Sequence, residues 1–184
     1  METSELPADL QKAVAFHGHL CPGLMIGWRL VRAAQKALEI GSSDDEELVA
    51  VVENDSCSVD AAQALLSTTF GKGNLKWRDH GKQVFTVIDR KQNRAVRVAF
   101  IGEGLKTKDA QGKTDRQAFM RALLEAPDEK LLTVREIAPQ PPEPARIEPS
   151  LICPACGEPV QESKTVATSD GRRLCRPCAG EDRT

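Results

Sequence analysis

Apolar residues recur every three to four positions in three stretches of the chain, and this spacing predicts three helices. The helices are predicted from Pro22 to about Ile40, from Ser58 to Thr68 and around residues 114–125. In the first, the apolar residues fall near one face: Leu24, Trp28, Val31 and Leu38. Gly41 and the serines after it end that pattern, and Gly71–Asn74 has the composition of a loop.

Short runs rich in β-branched residues lie between the helices and predict strands. The runs are Leu48–Glu53, Gln83–Asp89, Ala95–Ile101 and a stretch around Leu131–Ile137. The second and third are joined by a short polar turn, which favours an antiparallel hairpin. The order of helices and strands predicts an α+β fold, in which a mainly antiparallel sheet is covered by helices.

A proline-rich segment, residues 139–149, divides the chain into two parts. Its prolines are Pro139, Pro141, Pro142, Pro144 and Pro149. Such a stretch is extended and behaves as a semi-rigid spacer. We therefore predict a core domain at residues 1–138, a linker at 139–149 and a small zinc-finger domain at 150–184.

Composition and charge narrow the classes of function. Apolar residues make up 40% of the chain and charged residues 28%, which is ordinary for a globular protein. The formal net charge of −2 argues against nucleic-acid binding, which requires a basic surface. No apolar run is long enough to span a bilayer, and the acidic N-terminus is unlike a secretory signal. We expect a cytoplasmic protein.

Four of the six cysteines form two Cys-x-x-Cys pairs near the C-terminus. They are Cys153, Cys156, Cys175 and Cys178. Four thiolates at this spacing close around one tetrahedral zinc ion, and a closed site of this kind is structural. The sequence therefore predicts a structural zinc in the tail.

A second group of possible metal ligands lies at His17, His19 and Cys21. In an extended segment these three side chains would point the same way, and Gly18 would also permit a turn that brings them together. Imidazole and thiolate are ligands for zinc, nickel or iron, so the group predicts a partial metal site whose ion the sequence does not choose. Pro22 favours the first helical position, which places Cys21 at the N-cap.

Cys57 repeats this pattern at the predicted start of the next helix. If the two helix starts converge, we expect the pKa of both thiols to be lowered by the helix dipoles. The alternative is that Cys57 is a small buried apolar residue. Nearby Glu53, Asp55 and Asp60 are candidates for oxygen ligands, an acid–base group or hydrogen bonds to the ligands.

Three segments of the core together match the pattern of a known family, and two of them contain the candidate ligands. The segments are Phe16–Leu24 with Gly27 and Arg29; Glu53–Cys57 with Asp60, Ala61 and Gln63; and Phe70–Leu75 with Asp79, Gly81 and Lys82. On these segments the core resembles the FmdE family, which is named after one of the subunits of formylmethanofuran dehydrogenase. Some members also carry a four-cysteine zinc finger of treble-clef type at the C-terminus. Many relatives have a cysteine in the run before the Gly-Asn loop, whereas this chain has Ser67, Thr68 and Thr69 there.

The resemblance implies an α+β core that forms a homodimer, with a metal-binding active site at His17, His19, Cys21 and Cys57. It also implies a possible oxidoreductase subunit of a molybdenum or tungsten formylmethanofuran dehydrogenase, acting with partner subunits. With one cysteine fewer than many relatives, this site has one soft donor fewer and the bound metal is expected to differ.

Three functions follow from these observations. The first is a metal-centred redox or transfer role for the core. The second is thiol redox chemistry between Cys21 and Cys57 without a metal. The third is a binding module, in which the zinc finger on its proline-rich spacer recruits a partner and the protein catalyses nothing itself.

Overall fold

A computed structural model describes residues 5–102, 105, 112 and 115–181 of the chain. It separates into two compact units, Met1–Pro144 and Ala145–Thr184. The division lies inside the proline-rich segment.

The first unit contains five helices and five strands in its described residues. In chain order they are α1 (Ala8–His17), α2 (Pro22–Leu38), β1 (Leu48–Val52), α3 (Ser58–Leu66), β2 (Leu75–Trp77), β3 (Val84–Asp89), β4 (Arg94–Phe100), α4 (Arg116–Glu125), α5 (Asp128–Leu131) and β5 (Leu132–Ile137). The strands form one sheet in the order β2-β1-β3-β4-β5. The β1–β2 pair is parallel and the other three pairs are antiparallel.

Helices cover one face of this sheet, which we call the helix face. Alternate strand residues point into it, among them Ala50, Phe85 and Val98, and they form the main core with α2, whose Trp28 is also buried. The other alternate residues form a smaller cluster on the opposite face, made by Val49, Val51, Ile88 and Ala95. We call this opposite side the second face. The predicted α+β fold with a mainly antiparallel sheet covered by helices is confirmed.

A very close contact between α2 and α3 sets the arrangement of the helices. A Cβ atom added at Gly27 would lie 2.1 Å from the carbonyl oxygen of Ser58. One turn earlier, a Cβ at Gly23 would lie 3.1 Å from the Cβ of Cys57. The two glycines therefore allow the start of α3 to lie directly on α2, at a distance that larger residues would prevent.

Arg29 fixes α4 against α2. This buried guanidinium donates hydrogen bonds to the carbonyl oxygens of Leu123, Leu124 and Ala126, at the C-terminal end of α4. It also pairs with the carboxylate of Asp128 at 2.7 Å. Carbonyls at a helix end have no partner within the helix, so an arginine satisfies them and complements the helix dipole. Arg29 is a structural residue.

The second unit is built from two β-hairpins. Strands β6 (Ser150–Ile152) and β7 (Pro159–Gln161) form the first, and β8 (Thr165–Ala167) and β9 (Arg173–Cys175) form the second. Within residues 145–181 there is a short 3-10 turn at Glu162–Lys164 and no α-helix. The arrangement is consistent with the small zinc-finger domain that the cysteine spacing predicts.

The predicted elements of the first unit compare closely with those observed, and α1, β2 and α5 are additional. Predicted ends differ by one or two residues, and Thr114, in the third predicted helix, lies outside the described residues. The sequence pattern does not reveal α1, because its polar and apolar residues are not separated onto different faces of the helix. It does not reveal β2 either, because three residues give too short a pattern.

None of the described helices combines the length and apolar character that a membrane crossing requires.

We predict that Gly27→Ala destabilises the first unit although alanine favours helices. Helix propensity alone would stabilise α2 by about 1 kcal/mol. The added methyl group must instead displace the backbone of Ser58, and overpacking of this kind costs about 1–3 kcal/mol. Chemical denaturation would measure the change in free energy of unfolding. Gly41→Ala is the control, because a Cβ there meets nothing within 4 Å. Equal stability of both variants would contradict the prediction.

Candidate metal centre

His17 is the last residue of α1, and Gly18 turns the chain immediately after it. Gly18 has φ 93° and its N–H bonds to the carbonyl oxygen of Val14, which closes the helix. This left-handed conformation is one that glycine adopts without strain. The turn, not an extended strand, joins His17 to Cys21. Of the two conformations that the sequence left open, the structure has the turn and not the extended segment, and this turn brings His17 and Cys21 together without His19.

Cys21 and Cys57 occupy the N-cap positions of α2 and α3. The Sγ of Cys21 accepts a hydrogen bond from the backbone N–H of Leu24 at 3.4 Å. Cys57 makes no such capping bond, because its backbone is already helical, with φ −50° and ψ −23°. Since α2 and α3 meet at the contact of Gly23 with Cys57, the two helix starts converge.

Three ligand atoms come together at this junction. A ring nitrogen of His17 and the Sγ atoms of Cys21 and Cys57 all lie within 4.8 Å of one another. The Nε2 of His17 is 3.7 Å from the Sγ of Cys21. Cys21 is buried, whereas His17 and Cys57 are partly exposed. The group is therefore partly accessible to solvent at His17 and Cys57.

Asp60, in the first turn of α3, orients the imidazole of His17. Its Oδ2 lies 2.6 Å from the Nδ1 of His17, and its Oδ1 accepts a hydrogen bond from Gln63 at 3.1 Å. A carboxylate at Nδ1 holds the proton there and leaves Nε2 as a lone-pair donor facing the sulfur atoms. Asp60 is one of three acidic candidates in the sequence, and only the fold distinguishes it from Glu53 and Asp55.

His19 does not join the three ligand atoms. Its ring is exposed and lies beside that of His17, with ring centroids 4.6 Å apart and planes tilted by 35°. The reason is the turn at Gly18, which removes the alternation that would have aligned residues 17, 19 and 21. His19 therefore belongs to the mouth of the site.

The spacing of the His17 and Cys21 ligand atoms suits a tetrahedral metal ion. Zinc binds nitrogen at about 2.0–2.1 Å and sulfur at about 2.3 Å, so tetrahedral N and S ligands lie about 3.6 Å apart. The observed separation of 3.7 Å between His17 and Cys21 agrees with this value. Three protein donors leave one position for water or a substrate, the arrangement that distinguishes catalytic zinc sites from structural ones.

The thiol of Cys57 departs from the expected ionisation. Burial raises its pKa, and the adjacent Cys21 thiol raises it further, by hydrogen bonding and by charge repulsion. The expectation of a lowered pKa at Cys57 is wrong, because these effects outweigh the stabilising contact with its own backbone. A bound cation would supply the missing stabilisation of the thiolate.

The four tail cysteines also meet. Their sulfur atoms all lie within 4.8 Å of one another, and those of Cys156 and Cys175 are 3.9 Å apart. Sulfur atoms on a tetrahedral zinc ion are separated by about 3.8 Å. Cys153 follows β6 and Cys175 ends β9, so each hairpin supplies one pair of ligands. This four-cysteine group could hold a metal ion.

The pKa values of the tail cysteines differ strongly from one another. Backbone N–H groups of Cys175, Cys156 and Ala155 lower the pKa of Cys153 to about 6. Contact with the sulfur atoms of Cys175 and Cys156 raises the pKa of Cys178 to about 12. A thiolate therefore forms readily at Cys153, whereas the raised pKa of Cys156 and of Cys178 disfavours their ionisation. Four thiolates at this distance therefore require a cation.

Comparison with known proteins places the chain in a family. Residues 16–133 match the family model described as FmdE, Molybdenum formylmethanofuran dehydrogenase operon. The chain belongs to the FmdE family. The matched range contains the whole group of His17, Cys21, Cys57 and Asp60, whereas the four tail cysteines lie beyond it.

Two individual proteins are similar over most of this FmdE-family chain. One, known from a crystal structure, is a tungsten formylmethanofuran dehydrogenase FmdE-like protein from Syntrophus aciditrophicus and is 27% identical. The match covers 95% of this chain and 92% of the Syntrophus chain, with a TM-score of 0.70. A probable S-adenosyl-L-methionine-binding protein from Archaeoglobus fulgidus is 29% identical over 203 residues, covering 96% of this chain and 54% of the relative. The chain thus spans about half the length of that curated relative.

Other residues in the segments that resemble the family have structural roles. Asn74 is almost fully buried, accepts the backbone N–H of Thr69 and donates to the carbonyl oxygens of Asp45 and Leu48. The ammonium of Lys72 is held by the backbone around Asp45, so it binds protein carbonyls instead of an anion. The loop therefore fixes the start of β1.

Asn54 organises the segment that precedes Cys57. Its Oδ1 accepts hydrogen bonds from the hydroxyl groups of Ser56 and Ser58, and its Nδ2 donates to the carbonyl oxygen of Lys82. Gln83 adds a further bond to Ser56 at 2.9 Å. This network holds the loop between β1 and α3, and through it the position of the Cys57 sulfur.

Sequence reasoning missed the partners of Glu53. The buried carboxylate lies 2.9 Å from Arg97 and 3.2 Å from His80. Burial raises its pKa, but the hydrogen bonds from His80 and Arg97 outweigh this effect and leave the pKa below its usual value. Glu53 is therefore an ionised anchor on the second face. The pairing of Glu53 with Arg97 depends on the register of the sheet, which a single sequence does not show.

We predict that Asp60→Asn weakens metal binding at His17, Cys21 and Cys57 without unfolding the protein. An asparagine no longer holds the Nδ1 proton of His17 by charge, and losses of this kind reduce metal affinity about 10–100-fold. Competition with a chelator, followed by the absorption of bound Co²⁺, would measure the affinity. Asp55→Asn is the matched control, because Asp55 is an exposed carboxylate in the loop just before α3. Equal affinities in the two variants would show that Asp60 does not position the ligand.

Proposed function

We propose that this FmdE-family protein binds a transition metal in its core and uses the open coordination position for redox or transfer chemistry. The observation that carries the proposal is the convergence of His17, Cys21 and Cys57 within 4.8 Å. The orientation of His17 by Asp60 supports it further. The ion is zinc, nickel or iron, since a mixed nitrogen and sulfur donor set accepts each of them.

The chemistry available to the residues follows from their positions. A metal bound here would act as a Lewis acid or an electron carrier toward a ligand in the open position. His17 and the two cysteines would hold it, while Asp60 would keep the imidazole fixed. The exposed ring of His19 lies beside His17 at the mouth, where it could exchange protons with a bound ligand. We therefore assign His19 an acid–base role and not a ligand role.

The tail is proposed to carry a structural zinc ion. Its four sulfur donors form a closed tetrahedron and leave no position for a substrate. The buried cluster described there is small and consists of Cys153, Leu174 and Cys175. A bound zinc ion would supply the folding energy that so small a core lacks, which is the usual role of a structural zinc.

The names of the two relatives suggest a reaction and a ligand for the proposed site. From the Syntrophus protein we take formylmethanofuran dehydrogenase-like chemistry, carried out with partner subunits, as the first candidate context. From the Archaeoglobus protein we take S-adenosyl-L-methionine as a candidate for the ligand at the open position. We also propose a homodimer, for which β5 offers an edge strand with exposed Val134 and Ile137.

We predict that Cys21→Ser lowers the metal content of the protein by one ion per chain and leaves the tail occupied. Serine keeps the N-cap of α2 but is a poor ligand for a soft metal. Element-specific X-ray fluorescence on anaerobically purified protein would count and identify the ions. Cys153→Ser is the reciprocal control, because it removes a tail ligand and leaves the core intact. An unchanged metal content in Cys21→Ser would refute the core site.

A second candidate function is thiol–disulfide exchange, favoured by the closeness of the Cys21 and Cys57 sulfur atoms in one group. In this reaction a disulfide such as oxidised glutathione takes two electrons from the two thiols. One Cys21–Cys57 bond forms, the bond of the glutathione disulfide breaks, and two glutathione thiols are released.

We predict that core metal protects these thiols from oxidation. After treatment with oxidised glutathione, metal-free protein should contain the Cys21–Cys57 disulfide, and metal-loaded protein should retain both thiols. Peptide mapping by mass spectrometry would distinguish the two, and Cys21→Ser should instead accumulate glutathione on the partly exposed Cys57. A mixed disulfide as the only product in the unsubstituted protein would exclude the exchange reaction.

A further inference from the structure

A cleft of about 300 Å³ lies on the second face of the sheet, on the side away from the helices. Its lining includes Val51, Thr86, Ile88 and Arg97 from the strands, Glu53 just after β1, and Arg78 and Gln140. The proposed metal ligands are not among the residues that line it. The floor is apolar, because Val51 and Ile88 are buried, and the rim is polar.

The register of the strands explains why charge gathers here. Thr86 of β3 is opposite Arg97 of β4, and Arg97 is opposite Arg135 of β5. Side chains directly opposite in antiparallel strands are close neighbours, and like charges in such pairs are destabilising. Arg97 therefore has a second positive charge, that of Arg135, beside it on the same face of the sheet.

Glu53 compensates only part of this charge. One oxygen of its carboxylate binds two nitrogen atoms of Arg97, at 2.9 and 3.2 Å, and the other faces His80. The contact fixes the guanidinium of Arg97 in the cleft and leaves its remaining nitrogen available for a ligand. Within the described part of the chain, the guanidinium group of Arg78, which also lines the cleft, has no acidic partner. Two arginines against one glutamate leave the cleft with a net positive charge, and the guanidinium of Arg97 is already held in place.

We propose that this cleft binds a small organic anion, in which a carboxylate or phosphate group is joined to an apolar body. Arginine guanidinium groups recognise the planar or tetrahedral oxygens of both anions. Val51, Ile88 and the Thr86 methyl group would contact the apolar part, and the volume suits a molecule of about the size of a single substituted ring. This site is separate from the metal centre and does not depend on it.

Titration of the full-length protein with phenyl phosphate and with benzoate tests the proposal. Backbone amide shifts of β3 and β4, followed by NMR, report binding at the cleft. Benzyl alcohol has the apolar body without the charge, and inorganic phosphate has the charge without the body. We expect one or both of the aromatic anions to bind, and each of the two partial probes to bind at least about tenfold more weakly. The stronger of the two aromatic anions identifies the preferred head group.

Two substitutions distinguish a built site from general charge attraction. Arg78→Gln should weaken the aromatic anion about tenfold, and it breaks no ion pair among the described residues. Arg121→Gln removes an equal charge from an exposed position of α4 and should leave the affinity unchanged. Equal affinity in both variants, equal binding of benzyl alcohol, or no shift in β3 and β4 would overturn the proposal. Thermal unfolding of each variant shows that the fold is retained.

Discussion

The contact between Gly27 of α2 and Ser58 of α3 is the constraint on which the rest of the core depends. It brings two helix starts to one point, and a cysteine occupies the N-cap of each. Backbone packing at this distance is stiff, because no flexible side chain lies between the helices to absorb a displacement. The sulfur atoms of Cys21 and Cys57 are therefore positioned by the fold before any ion is bound, which reduces the cost of ordering the ligands.

Electrostatics then decides what the two cysteine groups can do. The core combines two thiols with an imidazole whose proton is held by Asp60, so it offers three donors and an open side. The tail combines four thiols, and the raised pKa of Cys178 means that all four become thiolates only beside a cation. One chain thus contains a group of three mixed donors and a group of four sulfur donors. The two groups differ in the number and the kind of their donor atoms.

Much of the fold could be predicted because its longer elements have clear periodicity. Helix α2 and the β3–β4 hairpin have strong local patterns, and their predicted ends differ little from those observed. Helix α1 and strand β2 escape prediction because amphipathic separation is weak in the first and the second is very short. The site could be predicted in part: Cys21, Cys57 and His17 meet, whereas the turn at Gly18 leaves His19 at the mouth.

By itself, the sequence determined the ligand types, the place of the proline-rich segment and the α+β class, because these depend on composition and on spacing along the chain. Only the tertiary structure decided that Asp60 supports His17 and that Glu53 anchors Arg97. It also decided that the pKa of Cys57 is raised instead of lowered. These outcomes depend on burial and on contacts between residues far apart in the chain. Local patterns do not carry that information, since the same acidic residue is a solvated group or a buried partner according to which strand or helix lies beside it.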